Sequence, residues 1–129
     1  MVRIINPGIK KMIEENALGL ATLDKNNNPH NIAIGYVQVV SDNELVVTNN
    51  WITETIKNIE ENPNVSLVVW NKDWKENCIG YELKGEAEYL TSGKWVELIK
   101  KLPINQGEPC KGAILIKINQ IESLIKWQT

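Results

Sequence analysis

The spacing of apolar and polar positions changes several times along the 129 residues, and each change marks an element. Asn6-Pro7 followed by Ile9, Met12 and Ile13 joins a cap residue, a proline at the first helical position and apolar spacing of three and four. That pattern predicts a short amphipathic helix from about residue 7 to 16. Ala17 to Leu23 is apolar and partly β-favouring, and Asp24-Lys25-Asn26-Asn27-Asn28-Pro29 is turn-forming, so a hairpin is implied. Its return strand, His30 to Val40, is mostly apolar on both faces, as expected of a strand covered by core on one side and by a partner or ligand on the other. Ser41-Asp42-Asn43 then turns the chain into a third strand, Glu44 to Thr48.

Beyond Asn49 the period lengthens. Ile52, Ile56 and Ile59 recur at helical spacing, Thr53 is placed to cap, and Asn62-Pro63 stops the helix. Val65 to Trp70 reads as a β-branched strand and Asn71 to Asn77 as a polar loop carrying Trp74. From Ile79 to Tyr89 the alternation is clean, with Tyr81, Leu83 and Ala87 on one face and Glu82, Lys84, Glu86 and Glu88 on the other. Gly80 and Gly85 inside that run predict bends or bulges where a sheet curls. Thr91-Ser92-Gly93 opens another helix through about Lys101. A loop with Gln106, Gly107 and Pro109 precedes the last strand, Ala113 to about Ile125. Six strands with short turns and few helices fit a closed or split antiparallel barrel.

A prior of roughly 150 residues per domain leaves room for one domain, and a chain of this mass buries roughly two-thirds of its unfolded surface without needing disulfides. There is no Phe but there are five Trp and three Tyr, so flat ring surface must come from Trp and Tyr. Thirteen Lys stand beside one Arg, Arg3, which makes bidentate Arg clamps on phosphate scarce. Net charge is -2 with both signs spread along the chain, so no basic stripe suits nucleic acid. The first apolar stretch is broken by Asn6, Pro7, Lys10 and Lys11, and no run of roughly eighteen apolar residues follows, so neither a signal peptide nor a membrane span is expected. Cys78 and Cys110 fit no paired-thiol motif and are expected to be free in a cytoplasmic protein.

Familiar catalytic constellations fail. With His30 as the single histidine, histidine-rich metal sites are impossible, and no Gly-rich phosphate loop occurs, so no catalytic residue and no metal ligand is assigned. His30 reads better as a turn histidine than as a base, and Asp24 as a residue that binds its own backbone. More informative is Thr48-Asn49-Asn50-Trp51-Ile52-Thr53-Glu54-Thr55, a strand end running into a helix start. Free backbone N–H groups there, with the hydroxyls of Thr53 and Thr55, suit a phosphate; a capped helix with a polar lead-in explains the same residues, and Glu54 would repel a dianion.

Three runs carry a resemblance: ALGLATLDKNNNPHNIAIGYV, then ELVVTNNWITETIKNIEENPNVSLVVW, then GYELKGEAEY. Most specific is Thr55-Ile56-Lys57-Asn58-Ile59 followed by Asn62-Pro63-Asn64-Val65, with Gly85 in the last run as a second match. In these features the chain resembles the FMN-binding split-barrel family, which includes pyridoxamine 5'-phosphate oxidases and small FMN-binding proteins. The resemblance implies a six-stranded antiparallel, Greek-key split barrel forming a homodimer with FMN in the groove between subunits. It implies that Asn31, Ile32, Ala33 and Ile34 line the flavin ring, and that Thr48, Asn49 and Asn50 hold the ribityl chain largely through backbone groups. Thr53 and Thr55 would bind the phosphate, with Lys57 or a partner's Lys adding charge. Trp51, Trp70, Trp74 and Trp127 are candidates to pack on the ring, whereas Trp95 on the last helix reads as packing. The oxidases proper use several Arg at these positions, so the resemblance is nearer in type to the small FMN-binding proteins, acting in flavin-dependent oxidoreduction or electron transfer. The reading from another class is a flavin-free barrel serving as a binding or assembly module, and a deazaflavin or haem is also accommodated on this fold.

Overall fold

Helix α1 (Pro7–Glu15) opens the computed structural model, which describes residues 5–125. Arg3 and Trp127 lie outside the described residues. Asn6 Oδ1 accepts a hydrogen bond from Ile9 N at 2.8 Å, and Pro7 occupies the first turn, where an N–H has no partner to find. Ile9 and Ile13 are thereby turned into the core.

Among the described residues seven strands build one sheet: β1 (Leu18–Leu23), β2 (Pro29–Ile34), β3 (Val37–Val39), β4 (Glu44–Asn49), β5 (Asn64–Trp70), β6 (Gly80–Leu90) and β7 (Gly112–Ser123). All pairings are antiparallel, in the order β2-β1-β5-β6-β7-β4-β3. The expected strand from His30 to Val40 is therefore two strands, because the chain breaks at Gly35-Tyr36, and six strands become seven. β2 and β3 are the opposite edges of the sheet. Six strand spacings of about 4.8 Å make a flat sheet about 29 Å wide, whereas a two-residue link reaches about 10 Å. The sheet must curl until its edges meet at Gly35-Tyr36, and the result is a split barrel.

Side chains of β1, β4, β5, β6 and β7 alternate into the barrel, where Leu20, Leu45, Leu67, Leu83, Ile114 and Ile116 pack with Ile9 and Ile13 of α1 and Ile59 of α2 (Glu54–Glu61). Helix α3 (Lys94–Lys101) lays Val96 and Ile99 on the opposite side of β4 and β7, against Val46, Ala113 and Leu115. Trp95 is half-buried against this second cluster with Lys94 Nζ 4.7 Å from its ring centroid, which is the packing role expected of it.

Gly85 marks the curl. The β6–β7 register shifts between Lys84 and Gly85, and a Cβ built at Gly85 would sit 2.0 Å from the carbonyl oxygen of Lys117. The outer face of β2, β1 and β5 stays open. Ala33, Gly19 and Val68 are partners along one row and Asn31, Ala21 and Ser66 along the next, and each is exposed or half-buried.

Candidate functional site at the barrel seam

Leu45 and Val47 of β4 face the barrel core and Val46 the α3 cluster, so the strand is buried on both sides. At its end the buried residues turn polar: Thr48, Asn49 and Asn50. Buried polar side chains need partners, and all three find them far along the chain. Thr48 Oγ1 accepts from Asn105 Nδ2 at 2.9 Å, and Asn50 Oδ1 accepts from Cys110 N at 2.9 Å. Asn49 Nδ2 donates to the Tyr89 hydroxyl at 2.9 Å, while its Oδ1 accepts from Ile52 N at 2.8 Å. Asn105, 2% exposed at the end of a short 3-10 turn (Pro103–Asn105), also donates to Ile99 O at 2.8 Å and so ties α3 to β4. These side chains brace the strand end from behind.

Against this braced end lies a cleft of about 410 Å³. Ala33, Ile34, Gly35 and Tyr36 line one part of it and Val47, Thr48 and Asn50 another, with Trp51, Ile52 and Glu108 completing the lining. It is the seam of the split barrel, since the link between the two edge strands is part of its wall. Tyr36 O accepts from Thr48 N at 2.9 Å, and the Tyr36 hydroxyl donates to Glu108 Oε1 at 3.4 Å.

Of the residues expected to hold a cofactor, the cleft gathers Ala33, Ile34, Thr48 and Asn50. Asn31 is exposed on the outer face of β2, and Ile32 packs against the barrel core. Successive side chains of a strand point to opposite faces, so residues 31–34 present a common surface only along the free backbone edge of β2. Thr53 stands at the cap position of α2, but its side chain makes no cap hydrogen bond; Asn49 instead takes the N–H of Ile52 just upstream. Thr55, in the first turn, is 1% exposed, and its Oγ1 finds no partner among the described residues. Asn58, central to the matched motif, is structural: its Nδ2 donates to Thr22 Oγ1 at 3.0 Å and fastens α2 to β1.

Among the aromatic candidates, Trp51 lines the cleft and is 73% exposed, with Lys111 Nζ 4.8 Å from its ring centroid. Trp70 and Trp74 instead line a larger groove of about 670 Å³, with Val68 and Leu124. Tyr36, Glu108 and Lys111 were not singled out from sequence; the signal available was the loop bearing Gly107 and Pro109, which returns the chain to β7 beside the end of β4. Asp24 binds its own turn as expected: its Oδ1 accepts from Asn26 N and Asn28 N, and chiefly the Asn28 N–H holds the carboxyl below its ordinary value. Cys78 and Cys110 are free, and no helix among the described residues is long and apolar enough to cross a membrane.

The fold is shared with known proteins. An uncharacterized protein of Methanocaldococcus jannaschii is 30% identical over 119 residues, which span 88% of this chain and 76% of that one. HupZ of Group A Streptococcus superposes with a TM-score of 0.84 at 25% identity, over 93% of this chain and 94% of its own. An FMN-binding protein of Syntrophomonas wolfei has the same fold, with a TM-score of 0.74 at 17% identity over 89% and 82% of the two chains. Residues 5–124 match the pyridoxamine 5'-phosphate oxidase family, and with that match, the curled antiparallel sheet and its seam, the chain belongs to that family of split barrels.

Proposed function

We propose that the chain binds FMN in the seam cleft as a homodimer and acts in flavin-dependent oxidoreduction or electron transfer in the cytoplasm. The observation that carries this reading is the cleft itself. It joins apolar walls from Ala33, Ile34, Val47 and Ile52, the indole of Trp51 and the unpaired edge of β2, next to a helix start whose cap residue makes no side-chain bond. A flat ring with hydrogen-bonding edges suits the first set, and a phosphate suits the second. The Thr55 hydroxyl at the start of α2, without a partner among the described residues, is a polar atom that a phosphate nearby would satisfy after a small movement. Thr53 lies at the same place, and the backbone of Thr48, Asn49 and Asn50 is set to follow the chain between ring and phosphate. An FMN-binding structural relative supports the same cofactor.

FMN supplies hydride or electron transfer when bound. The residues of this chain orient it, shelter it from water and set its potential. A second copy is supported by the open outer face, where the small residues Gly19, Ala21 and Ala33 allow close approach and Trp70, 42% exposed, needs cover. The free thiols support a reducing compartment.

The decisive measurement is the visible absorption spectrum of protein expressed with ample FMN, followed by titration of FMN against tryptophan fluorescence. A yellow protein whose emission is quenched by FMN is expected. A colourless protein with unquenched emission would sink the proposal and leave a flavin-free binding or assembly module. Sedimentation showing a flavin-loaded monomer at micromolar concentration would remove the dimer.

A further inference from the structure

We propose that Lys111 supplies, from the same chain, the positive charge for a phosphate-bearing ligand in the cleft, so that the site distinguishes a phosphorylated ligand from its unphosphorylated parent. The inference rests on the flavin reading above. Lys111 is fixed at two points to the segment leading into α2. Its N–H donates to Asn49 O at 2.8 Å, and its ammonium lies 4.8 Å from the ring centroid of Trp51, which lines the cleft.

A cation is needed there. Glu54 stands in the first turn of α2 and opposes a dianion, while the helix terminus itself offers only about half a positive charge. To the helix start Thr55 adds a buried hydroxyl that lacks a partner among the described residues. Lys57 lies a turn further along α2 on the exposed surface. Neither ion pair among the described residues engages Lys111, and the Glu108 carboxylate that lines the cleft accepts from the Tyr36 hydroxyl. A cation resting on an exposed ring face is held more weakly than one bonded to phosphate. Binding of a phosphorylated ligand therefore draws the ammonium off the indole, which in turn frees that face of Trp51 for the ligand's ring.

The test compares FMN with riboflavin, which has the same ring and no phosphate, by fluorescence titration of the full chain and of Lys111→Met and Lys111→Arg. Both substitutions sit on an exposed side chain and leave the fold intact. The preference for FMN over riboflavin is expected to fall about tenfold in Lys111→Met and to persist in Lys111→Arg. An unchanged preference in Lys111→Met would overturn the assignment by placing the charge elsewhere. Parallel weakening of both ligands would overturn it too, since Lys111 would then act only by holding Trp51. If the unaltered protein binds both ligands equally, the inference falls while the flavin reading stands; if it binds neither, the flavin reading fails and the inference with it.

Discussion

Replacing Asn105 tests whether the cleft is braced from behind. In Asn105→Ala, Ile99 O and Thr48 Oγ1 each lose a donor in a site that is 2% exposed. Leaving a buried acceptor short costs about 1–3 kcal/mol, and removing Asn105 Oδ1, itself unpartnered, returns one cost of that order, so a net loss of about 2 kcal/mol is expected. Asn105→Asp is the sharper probe because it keeps the volume. Once ionised it sets a carboxylate oxygen against the Ile99 carbonyl, where the amide nitrogen had donated, and buries a charge, so its folded pKa is expected to rise above the ordinary value of about 3.9. Between those two values the native state binds more protons than the unfolded state, and stability therefore falls as pH rises, by about 1.4 kcal/mol per pH unit. Urea midpoints of the variant and the unaltered protein, taken at about pH 4 and about pH 7, read this directly. The gap should be small at the lower pH and wide at the higher. If Asn105→Asp unfolds at the unaltered midpoint near neutrality, or tracks the unaltered protein at both pH values, the amide is not the buried double donor described here.

Three further perturbations follow from the fold. Gly85→Ala should destabilise by at least about 1–3 kcal/mol, because the new methyl meets the Lys117 carbonyl backbone; Gly35→Ala, with nothing within 4 Å of its Cβ, should be neutral or slightly stabilising, and equal midpoints for the two would contradict the bulge. Glu14 Oε2 accepts from Val39 N at 2.9 Å and Gln38 Nε2 at 2.7 Å, so Glu14→Ala should cost about 1 kcal/mol and speed amide exchange at Val39, which is read by NMR. The depressed carboxyl of Asp24 contributes stability that is present above its unfolded value and lost as pH falls through its folded one; the advantage of the unaltered protein over Asp24→Ala should therefore shrink in acid and hold at neutrality, as tracked by thermal midpoints.

Local chemistry made the framework legible. The Asn6-Pro7 start of α1, the self-binding Asp24 turn and the curl at Gly85 each depend on neighbours in sequence or on a glycine that cannot be replaced. What escaped was non-local. The run from Ile32 to Val40 conceals its break because Ile34 and Val37 both belong in the core, and nothing in their types shows that the chain passes between opposite sheet edges there. The strand-end polar trio was visible, but its side chains point to Asn105, Cys110 and Tyr89, forty to sixty residues away, and no period encodes such pairings. Thr53 had the residue type of a cap, yet its side chain makes no cap bond, and the side-chain bond found nearby, Asn49 Oδ1 accepting from Ile52 N, lies one residue upstream of it.

The two-residue link at Gly35-Tyr36 makes the barrel a band closed by a single clasp, and the cleft lies at that clasp. Anything bound there touches β2 at one end of the band, the clasp itself, and β4 one strand in from the other end, so its grip reaches across the opening at which the sheet would part. At a hundredfold excess over its dissociation constant a ligand adds about 2.7 kcal/mol to folding, and in this architecture that gain would fall first on β2, the edge strand that lines the cleft. Loading would then also close the barrel: the empty chain is expected to open first at its edges, and a filled chain to behave as a ring.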